Sequence, residues 1–212
     1  MPIDLTSLTT SSSTAPATQP TEVVNNDPFA SISLQKDMVF NLQKAAPSLQ
    51  KAHVGLQWDT GDNVDLDLSV FALHQNGKIQ AADDFLFFDQ STVGPGLQKS
   101  GDNRTGAGDG DDEWLDVTFA SVKPTVDRIV LVVNIYEAQA RRQNFGLVRN
   151  AMVHIDDADS GRELARFALT DDYSTDTSVI FGELVRSTQG WSFQSIGEGA
   201  VQDLQFYLVK YK

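Results

Sequence analysis

The chain has 212 residues, which fits one domain of ordinary size with a modest extension. Sixteen Lys and Arg against 29 Asp and Glu give a formal net charge of −13, which argues against direct binding of a nucleic-acid backbone. The chain contains no cysteine, which excludes a disulfide framework, a thiolate zinc site and a cysteine nucleophile, so any metal must be held by oxygen or imidazole ligands.

The N-terminal segment consists mainly of small and polar residues. Thr6–Pro28 is rich in Thr, Ser, Ala, Pro and Asn and cannot offset its ordering entropy by burial. Met1–Ser12 lacks the basic start and apolar core of a secretory signal, and no later stretch approaches membrane-spanning length. We therefore predict a flexible tail over residues 1–28, one domain over residues 29–212 and a cytoplasmic location.

Beyond the tail, short apolar stretches alternate with turn signals at the interval typical of an all-β domain. These stretches are Ile32–Leu42, Val54–Trp58, Leu66–Leu73, Phe85–Phe88, Leu115–Phe119 and the alternating Ala151, Val153 and Ile155. Ile129–Tyr136 reads IVLVVNIY, which is typical of a strand buried on both faces. Asn76-Gly77, Ser160-Gly161 and Gln189-Gly190 favour tight hairpins between antiparallel strands. The pattern predicts an all-β fold, a two-sheet antiparallel β-sandwich with short helical turns.

Helical signals are weak and local. Pro47–Lys51, and Ser174–Ser178 after the acidic Asp171-Asp172, are each predicted to form a turn or two of helix. Leu204–Tyr211 alternates in hydrophobicity and is predicted as a final strand.

Two aspartates lie at the start of a predicted strand. In Val64–Phe71, which reads VDLDLSVF, alternation puts Asp65 and Asp67 on one face and the apolar side chains on the other. Acids are depleted in strands and a buried unpaired carboxylate is costly, so the pair needs a metal ion, a basic partner or solvent. Taken alone, the pair is equally compatible with metal binding and with capping or salt bridges to Arg104, Arg141 or Arg142.

An acidic loop, Ser100–Glu113, reads SGDNRTGAGDGDDE and carries five acidic residues against Arg104. Its glycines allow sharp turns, so that carboxylate and carbonyl oxygens can converge on one point. Two carboxylates about 4 Å apart repel by roughly 4 kcal/mol at an effective dielectric constant of about 20, so convergence favours a bound divalent cation. Calcium accepts such a mixed set of oxygens more readily than magnesium does. The loop therefore predicts a calcium site.

Other interpretations of these residues are weaker. Asp102–Glu113 has the length of an EF-hand loop, but Arg104 and Gly106 occupy ligand positions and Ala107 replaces the required glycine. No nucleophile elbow or catalytic triad spacing is present, and we expect no enzymatic activity. His53, His74 and His154 have no paired ligand spacing and are interpreted as structural or surface residues. The alternative function is a metal-dependent phosphoesterase, in which Asp65, Asp67, Asp109 and Asp111 would hold the catalytic metal ions.

Gly101–Glu113 resembles the GDN-x-TG-x-G-x-GDDE signature of the TerD family. The resemblance runs from Phe29 almost to the C-terminus, through Gly55–Asp59, Asp65–Asp67, Asn144–Ala151, Ile180–Leu184 and Trp191–Phe193. One departure is Phe87-Phe88-Asp89-Gln90, where the family often reads F-Y-N-N, and the Ser/Thr-rich tail is another.

The resemblance implies a β-sandwich that binds two calcium ions through the Asp65–Asp67 strand and the acidic loop. It also implies a role in tellurite resistance and stress responses, as an adaptor that works with other Ter-type proteins in a membrane-associated complex. The metal ligands predicted on these grounds are Asp65, Asp67, Asp102, Asn103, Asp109, Asp111, Asp112 and Glu113.

Overall fold

The computed structural model describes residues 19–24, 27, 30–59, 64–87, 94–105, 110–169 and 173–212. Within these residues thirteen strands form two packed sheets, which confirms the predicted all-β sandwich. The strands are β1 Thr21–Val23, β2 Ile32–Ser33, β3 Met38–Asn41, β4 Lys51–Asp59, β5 Leu66–His74, β6 Phe85–Leu86, β7 Leu97–Lys99, β8 Glu113–Thr118, β9 Val126–Ile135, β10 Arg149–Asp157, β11 Arg162–Ala168, β12 Ser178–Ser187 and β13 Gly190–Ala200.

One sheet has seven strands in the order β1-β3-β13-β12-β9-β5-β6, and the other has six in the order β2-β11-β10-β4-β8-β7. The predicted hairpins at Ser160-Gly161 and Gln189-Gly190 connect β10 to β11 and β12 to β13, and Gly161 and Gly190 have φ values of 71° and 98°. Two edge pairs, β1 with β3 and β2 with β11, are parallel, so both sheets are mixed and the antiparallel prediction holds only for the other pairs.

The segment before Pro28 is not wholly a tail. Residues 1–18 lie outside the described part of the chain, but Thr21–Val23 forms the edge strand β1. The Thr21 amide donates to the Asp37 carbonyl at 2.8 Å, and Val23 packs against the main core. The pairing partner supplies an order that the local composition of this segment does not predict.

The main core lies between the sheets, and a second apolar cluster lies on the outer side of the seven-stranded sheet. Strand β9 contributes to both, because Ile129, Leu131 and Val133 point inward while Val130 and Val132 point outward. Burial of β9 on both faces is therefore confirmed.

The C-terminal segment Leu204–Tyr211 is an α-helix, α3, and its prediction as a strand was wrong. The Asp203 side chain accepts a hydrogen bond from the Phe206 amide at 3.1 Å and so caps the helix. Tyr207 and Tyr211, one turn apart, are buried against the outer apolar cluster. Residues four apart lie on one face of a helix and also on one face of a strand, so this spacing fits both structures.

The other α-helices of the described residues are α1 Leu42–Ala45 and α2 Ala138–Arg141, and Ala82–Asp84, Phe119–Ser121 and Phe145–Leu147 form short 3-10 helices. The predicted helix at Pro47–Lys51 was wrong, since Pro47 and Ser48 form a turn and Lys51 begins β4. Helix α1 ends before this segment, and Asn41 Oδ1 caps its start by accepting from the Lys44 amide at 2.8 Å. Ser174–Ser178 is wrong as a helix, since it forms a turn that leads into β12, and Asp171-Asp172 lies outside the described residues. No helix in the described ranges is long and apolar enough to cross a membrane.

Removing the cap of α3 should destabilise the protein modestly. We expect Asp203→Ala to lower the free energy of unfolding by about 1 kcal/mol, because the Phe206 amide loses its acceptor. Urea denaturation followed by circular dichroism measures the change. Asp159→Ala, at an exposed position in the β10–β11 turn, is the control and should leave the midpoint unchanged. Equal midpoints for both variants would contradict the capping role.

Candidate metal centre

Three predicted ligands lie together at one end of the sandwich. Asp65 precedes β5, Asp67 lies within it, and Asp102 lies in the segment that follows β7. One carboxylate oxygen from each residue lies within 4.8 Å of the others. Asp65 and Asp67 are only 4% and 2% exposed, whereas Asp102 is exposed. This carboxylate cluster is buried on one side and open on the other.

The pairing of β5 with β9 positions the two buried aspartates. The Tyr136 amide donates to the Asp65 carbonyl at 2.9 Å, and Asp67 lies opposite Asn134 in the register. Asn134 Nδ2 donates to Asp67 Oδ2 at 3.2 Å. The backbone ladder therefore fixes both carboxylates on the face that the alternation predicted.

Glu113 and Lys99, both of the six-stranded sheet, form a buried ion pair beside this cluster. Lys99 Nζ lies 3.0 Å from Glu113 Oε2, and both side chains are fully buried. The same oxygen accepts from the Leu68 amide of β5 at 2.7 Å. Glu113 Oε1 and Asp65 Oδ1 are buried and have no hydrogen-bond partner in the described part of the protein. Burying an oxygen without a hydrogen bond is costly unless a cation or another donor satisfies it.

Burial and mutual repulsion disfavour ionisation of the carboxyl groups in and beside the cluster. Burial, followed by the charges of Glu113, Asp65 and Asp102, raises the pKa of Asp67 to about 8. Burial and the charge of Asp102 also raise the pKa of Asp65. Burial raises the pKa of Glu113, although Lys99 opposes that shift. A divalent cation bound here would stabilise the ionised carboxylates and remove their repulsion.

Basic residues do not neutralise the buried aspartates directly. Arg104 Nε lies 3.9 Å from Asp102, and Arg141 Nε lies 3.4 Å from Glu137. Among the described residues, neither Asp65 nor Asp67 forms an ion pair with Arg104, Arg141 or Arg142. The salt-bridge interpretation of the aspartate pair is therefore not supported by the geometry.

A cavity of about 430 Å³ opens beside the cluster. Its wall includes Asp67 and Asn134 of the seven-stranded sheet, Tyr136 and Glu137 after β9, and Asp203 before α3. A ligand in this cavity would lie next to a cation held by Asp67.

Asn103 and Asp112 shape the acidic loop from within. Asn103 Nδ2 donates to Asp112 Oδ1 at 3.0 Å, and Asn103 Oδ1 accepts from the Thr105 amide at 3.2 Å. The other carboxylate oxygen of Asp112 accepts from the Trp58 amide at 3.0 Å. These contacts hold the loop against β4. Asp109, another predicted ligand, lies outside the described residues.

Asp111 contacts two histidines. His53 Nε2 lies 2.7 Å from Asp111 Oδ2, and His154 Nε2 lies 2.7 Å from Asp111 Oδ1. Gln57 Nε2 also donates to Asp111, at 2.8 Å. A Cβ atom at Gly55 would collide with both His154 and Asp111, so glycine makes this approach possible. The structure thus places Asp111, a predicted calcium ligand, beside two histidines and not in the carboxylate cluster, and the sequence had suggested no function for those histidines.

The carboxylates around the two histidines favour their protonated forms. Burial acts to lower the pKa of His154, but hydrogen bonds to Asp111 and Asp156 outweigh it and raise the pKa to about 9. The hydrogen bond to Asp111 raises the pKa of His53 in spite of its burial. Burial acts to raise the pKa of Asp111, but the two histidines hold it well below its usual range. In the sequence, only the His154-x-Asp156 spacing, which puts both side chains on one face of β10, pointed to this network.

Comparisons with known proteins agree with this architecture. The TerD domain family model matches residues 30–211. Tellurium resistance protein TerD from Serratia marcescens is 44% identical over 186 residues, covering 85% of this chain and 97% of that protein. General stress protein 16U from Bacillus subtilis is 45% identical over 174 residues, covering 79% of this chain and 90% of that protein. A crystal structure of a TerD homologue from Streptomyces coelicolor A3(2) has a TM-score of 0.64 at 21% identity, covers 76% of this chain and 96% of its own, and supports the fold alone.

Proposed function

The chain belongs to the TerD family, and on that premise we propose that it is a calcium-binding stress-response protein of the tellurite-resistance type. Two relatives are named for tellurium resistance and for general stress. The observation that carries the proposal is the convergence of Asp65, Asp67 and Asp102 within 4.8 Å. The family thus supplies the physiological context, and the carboxylate cluster supplies the chemistry.

Calcium fits this cluster better than other common cations do. The three residues offer only carboxylate oxygens, which are hard ligands of the kind that calcium prefers. Asp65 Oδ1 is buried without a hydrogen bond, so a cation would satisfy an atom that otherwise carries an unfavourable desolvation cost. The exposed Asp102 leaves an entry path from solvent.

The role we propose for calcium is structural, in a cytoplasmic adaptor without enzymatic activity. A bound ion would tie the start of β5 to the segment after β7 and stiffen that end of the sandwich. Other Ter-type proteins of a membrane-associated complex would recognise the stiffened end. A pull-down with the full chain as bait should recover such proteins in calcium and lose them in EGTA. Equal recovery in both buffers would exclude a calcium-dependent adaptor.

Calorimetric titration of the chelator-stripped protein with Ca²⁺ tests the metal site. We expect saturable binding, and we expect Asp67→Asn to weaken it at least tenfold, because a buried ligand loses its charge. Asp159→Asn, which removes an exposed carboxylate in the β10–β11 turn, is the matched control and should bind as the unmodified chain does. Absence of calcium binding by the unmodified chain would refute the proposal.

The cavity beside Asp67 favours one second candidate function, a metal-dependent phosphoesterase. A hydrolase needs a cleft next to its metal ion, and this cavity of about 430 Å³ provides one. Turnover of phosphate esters with Mg²⁺ or Mn²⁺ that disappears in Asp67→Asn would favour the enzyme. We expect no turnover above the level of that variant.

A further inference from the structure

The outer face of the six-stranded sheet carries a polar cluster away from the carboxylate cluster. In the strand register, Asp156 of β10 lies opposite Glu163 of β11 on one side and opposite His53 of β4 on the other. His154 lies two residues before Asp156 and therefore on the same face. Cross-strand pairing thus places imidazole and carboxylate groups side by side.

Three of these groups can converge on one ion. One nitrogen of His154 and one oxygen each of Asp156 and Glu163 lie within 4.8 Å of one another. Zinc bonds of about 2.0–2.2 Å place tetrahedral ligands about 3.3–3.6 Å apart, so modest side-chain adjustments would close the set. We propose that His154, Asp156 and Glu163 form a second metal site, which takes a divalent transition-metal ion of the Zn²⁺ class.

The ligand types select the metal. An imidazole nitrogen with two carboxylates suits zinc, nickel or copper, whereas calcium prefers oxygen ligands alone. Three protein ligands leave one position for water, which is the usual arrangement of an open zinc site. The site therefore differs in metal preference from the cluster at Asp65, Asp67 and Asp102.

Neighbouring groups already orient the ligands. His154 Nε2 is 2.7 Å from Asp111 and its Nδ1 is 2.9 Å from Asp156. With the proton on Nε2 and donated to Asp111, Nδ1 is left to bind a metal beside Asp156, which is the carboxylate–histidine–metal arrangement common in proteins. The contact with Asp111 would thus support the ligand instead of competing for it.

Glu163 is held in place but keeps coordinating capacity. Arg166 contacts Glu163 Oε1 through Nε at 2.6 Å and Oε2 through Nη2 at 2.8 Å. Ser31 Oγ also donates to Oε1, so that oxygen accepts two hydrogen bonds. A carboxylate oxygen has two lone pairs, and Oε2 can therefore accept from Arg166 and still coordinate a metal ion.

The charge on this face matches a divalent ion. Four carboxylates, those of Asp111, Asp116, Asp156 and Glu163, surround the two histidines, and the positive side chains are Lys51, paired with Asp116, and Arg166, paired with Glu163. With both histidines protonated, as the surrounding carboxylates favour, this set is neutral. A divalent metal ion at His154 that displaces both protons would keep it neutral.

Titration with Zn²⁺ in saturating Ca²⁺ at pH 8 tests the site, and zinc binding should release the proton that the imidazole holds. We expect one zinc ion to bind, at least tenfold more weakly in His154→Asn and in Glu163→Gln. Asp159→Asn, which removes an exposed carboxylate in the β10–β11 turn, is the matched control and should bind zinc normally. Asp67→Asn should also bind zinc normally, which separates this site from the proposed calcium site.

Copper provides a readout that does not depend on any variant. Electron paramagnetic resonance of the unmodified chain with one equivalent of Cu²⁺ should show coupling to a nitrogen nucleus, the signature of imidazole coordination. Absence of zinc binding, a spectrum without nitrogen coupling, or loss of zinc binding in Asp67→Asn instead of His154→Asn would each overturn the proposal. The polar cluster would then be an ion-pair network only.

Discussion

Replacing Lys99 with methionine should lower the free energy of unfolding by about 3–5 kcal/mol, the cost of leaving one member of a buried ion pair unpaired. Lys99 Nζ lies 3.0 Å from Glu113 Oε2, and both side chains are fully buried. Methionine has a similar length, so the substitution removes the charge and leaves little void. The remaining Glu113 carboxylate would have to be protonated or stay ionised without its partner. Guanidinium denaturation at pH 7 measures the loss.

The double variant Lys99→Met/Glu113→Gln separates charge from packing. A glutamine carbonyl can still accept from the Leu68 amide, which Glu113 Oε2 does at 2.7 Å. We expect this variant to regain most of the lost stability, because replacing both members of a buried pair is often nearly neutral. If the double variant is as unstable as Lys99→Met, then packing, and not the ion pair, accounts for the loss.

The second large effect is a dependence of calcium-free stability on pH that Asp67 causes. The folded protein raises the pKa of Asp67 from 3.8 to about 8, mainly through burial. Below pH 3.8 the carboxyl is protonated in both states, and its stabilising contribution is fully present. That contribution falls as pH rises toward about 8, because the unfolded state ionises first, and it levels off above.

Asp67→Asn isolates this contribution, since asparagine does not titrate. In EGTA, the stability of Asp67→Asn relative to the unmodified chain should rise by at least about 1.4 kcal/mol between pH 4.5 and pH 8.5, the equivalent of one pKa unit. Urea denaturation across that range measures it. Asp159→Asn should show no such trend. In saturating Ca²⁺ the order should reverse at high pH, because calcium binds the ionised carboxylate. A difference that does not change with pH would contradict the raised pKa.

The parts of the fold that follow from alternation were predictable. The run IVLVVNIY in β9 has no polar face to point at solvent, and the strand is covered on both sides. The helix α3 was not predictable by the same reasoning, because its two buried tyrosines stand four residues apart and fit either periodicity. Strand β1 depends on β3 for its pairing, which its own three residues do not reveal.

The candidate site was predictable where ligands are close in sequence or share a strand face. Asp65 and Asp67 are two residues apart, so strand alternation predicts that they share a face, and the acidic loop brings Asp102 to them. The partners of Asp111 did not follow, because His53 and His154 lie 58 and 43 residues away and meet it only through sheet pairing. The sequence indicated the burial of Lys99 only weakly, because Lys99 lies two residues after Leu97 and so on the same, buried face of β7.

Among the described residues, the edge strands of the sandwich have only two or three residues each, namely β1 and β6 in one sheet and β2 and β7 in the other. A binding partner that docks by extending a sheet needs a row of free amides and carbonyls, and these margins offer too few to anchor one. Edge strands this short also disfavour edge-to-edge pairing between copies of the chain, which would lead to fibres. Within the part of the chain that the structure describes, the loops and broad faces therefore offer a partner more surface than the sheet edges do.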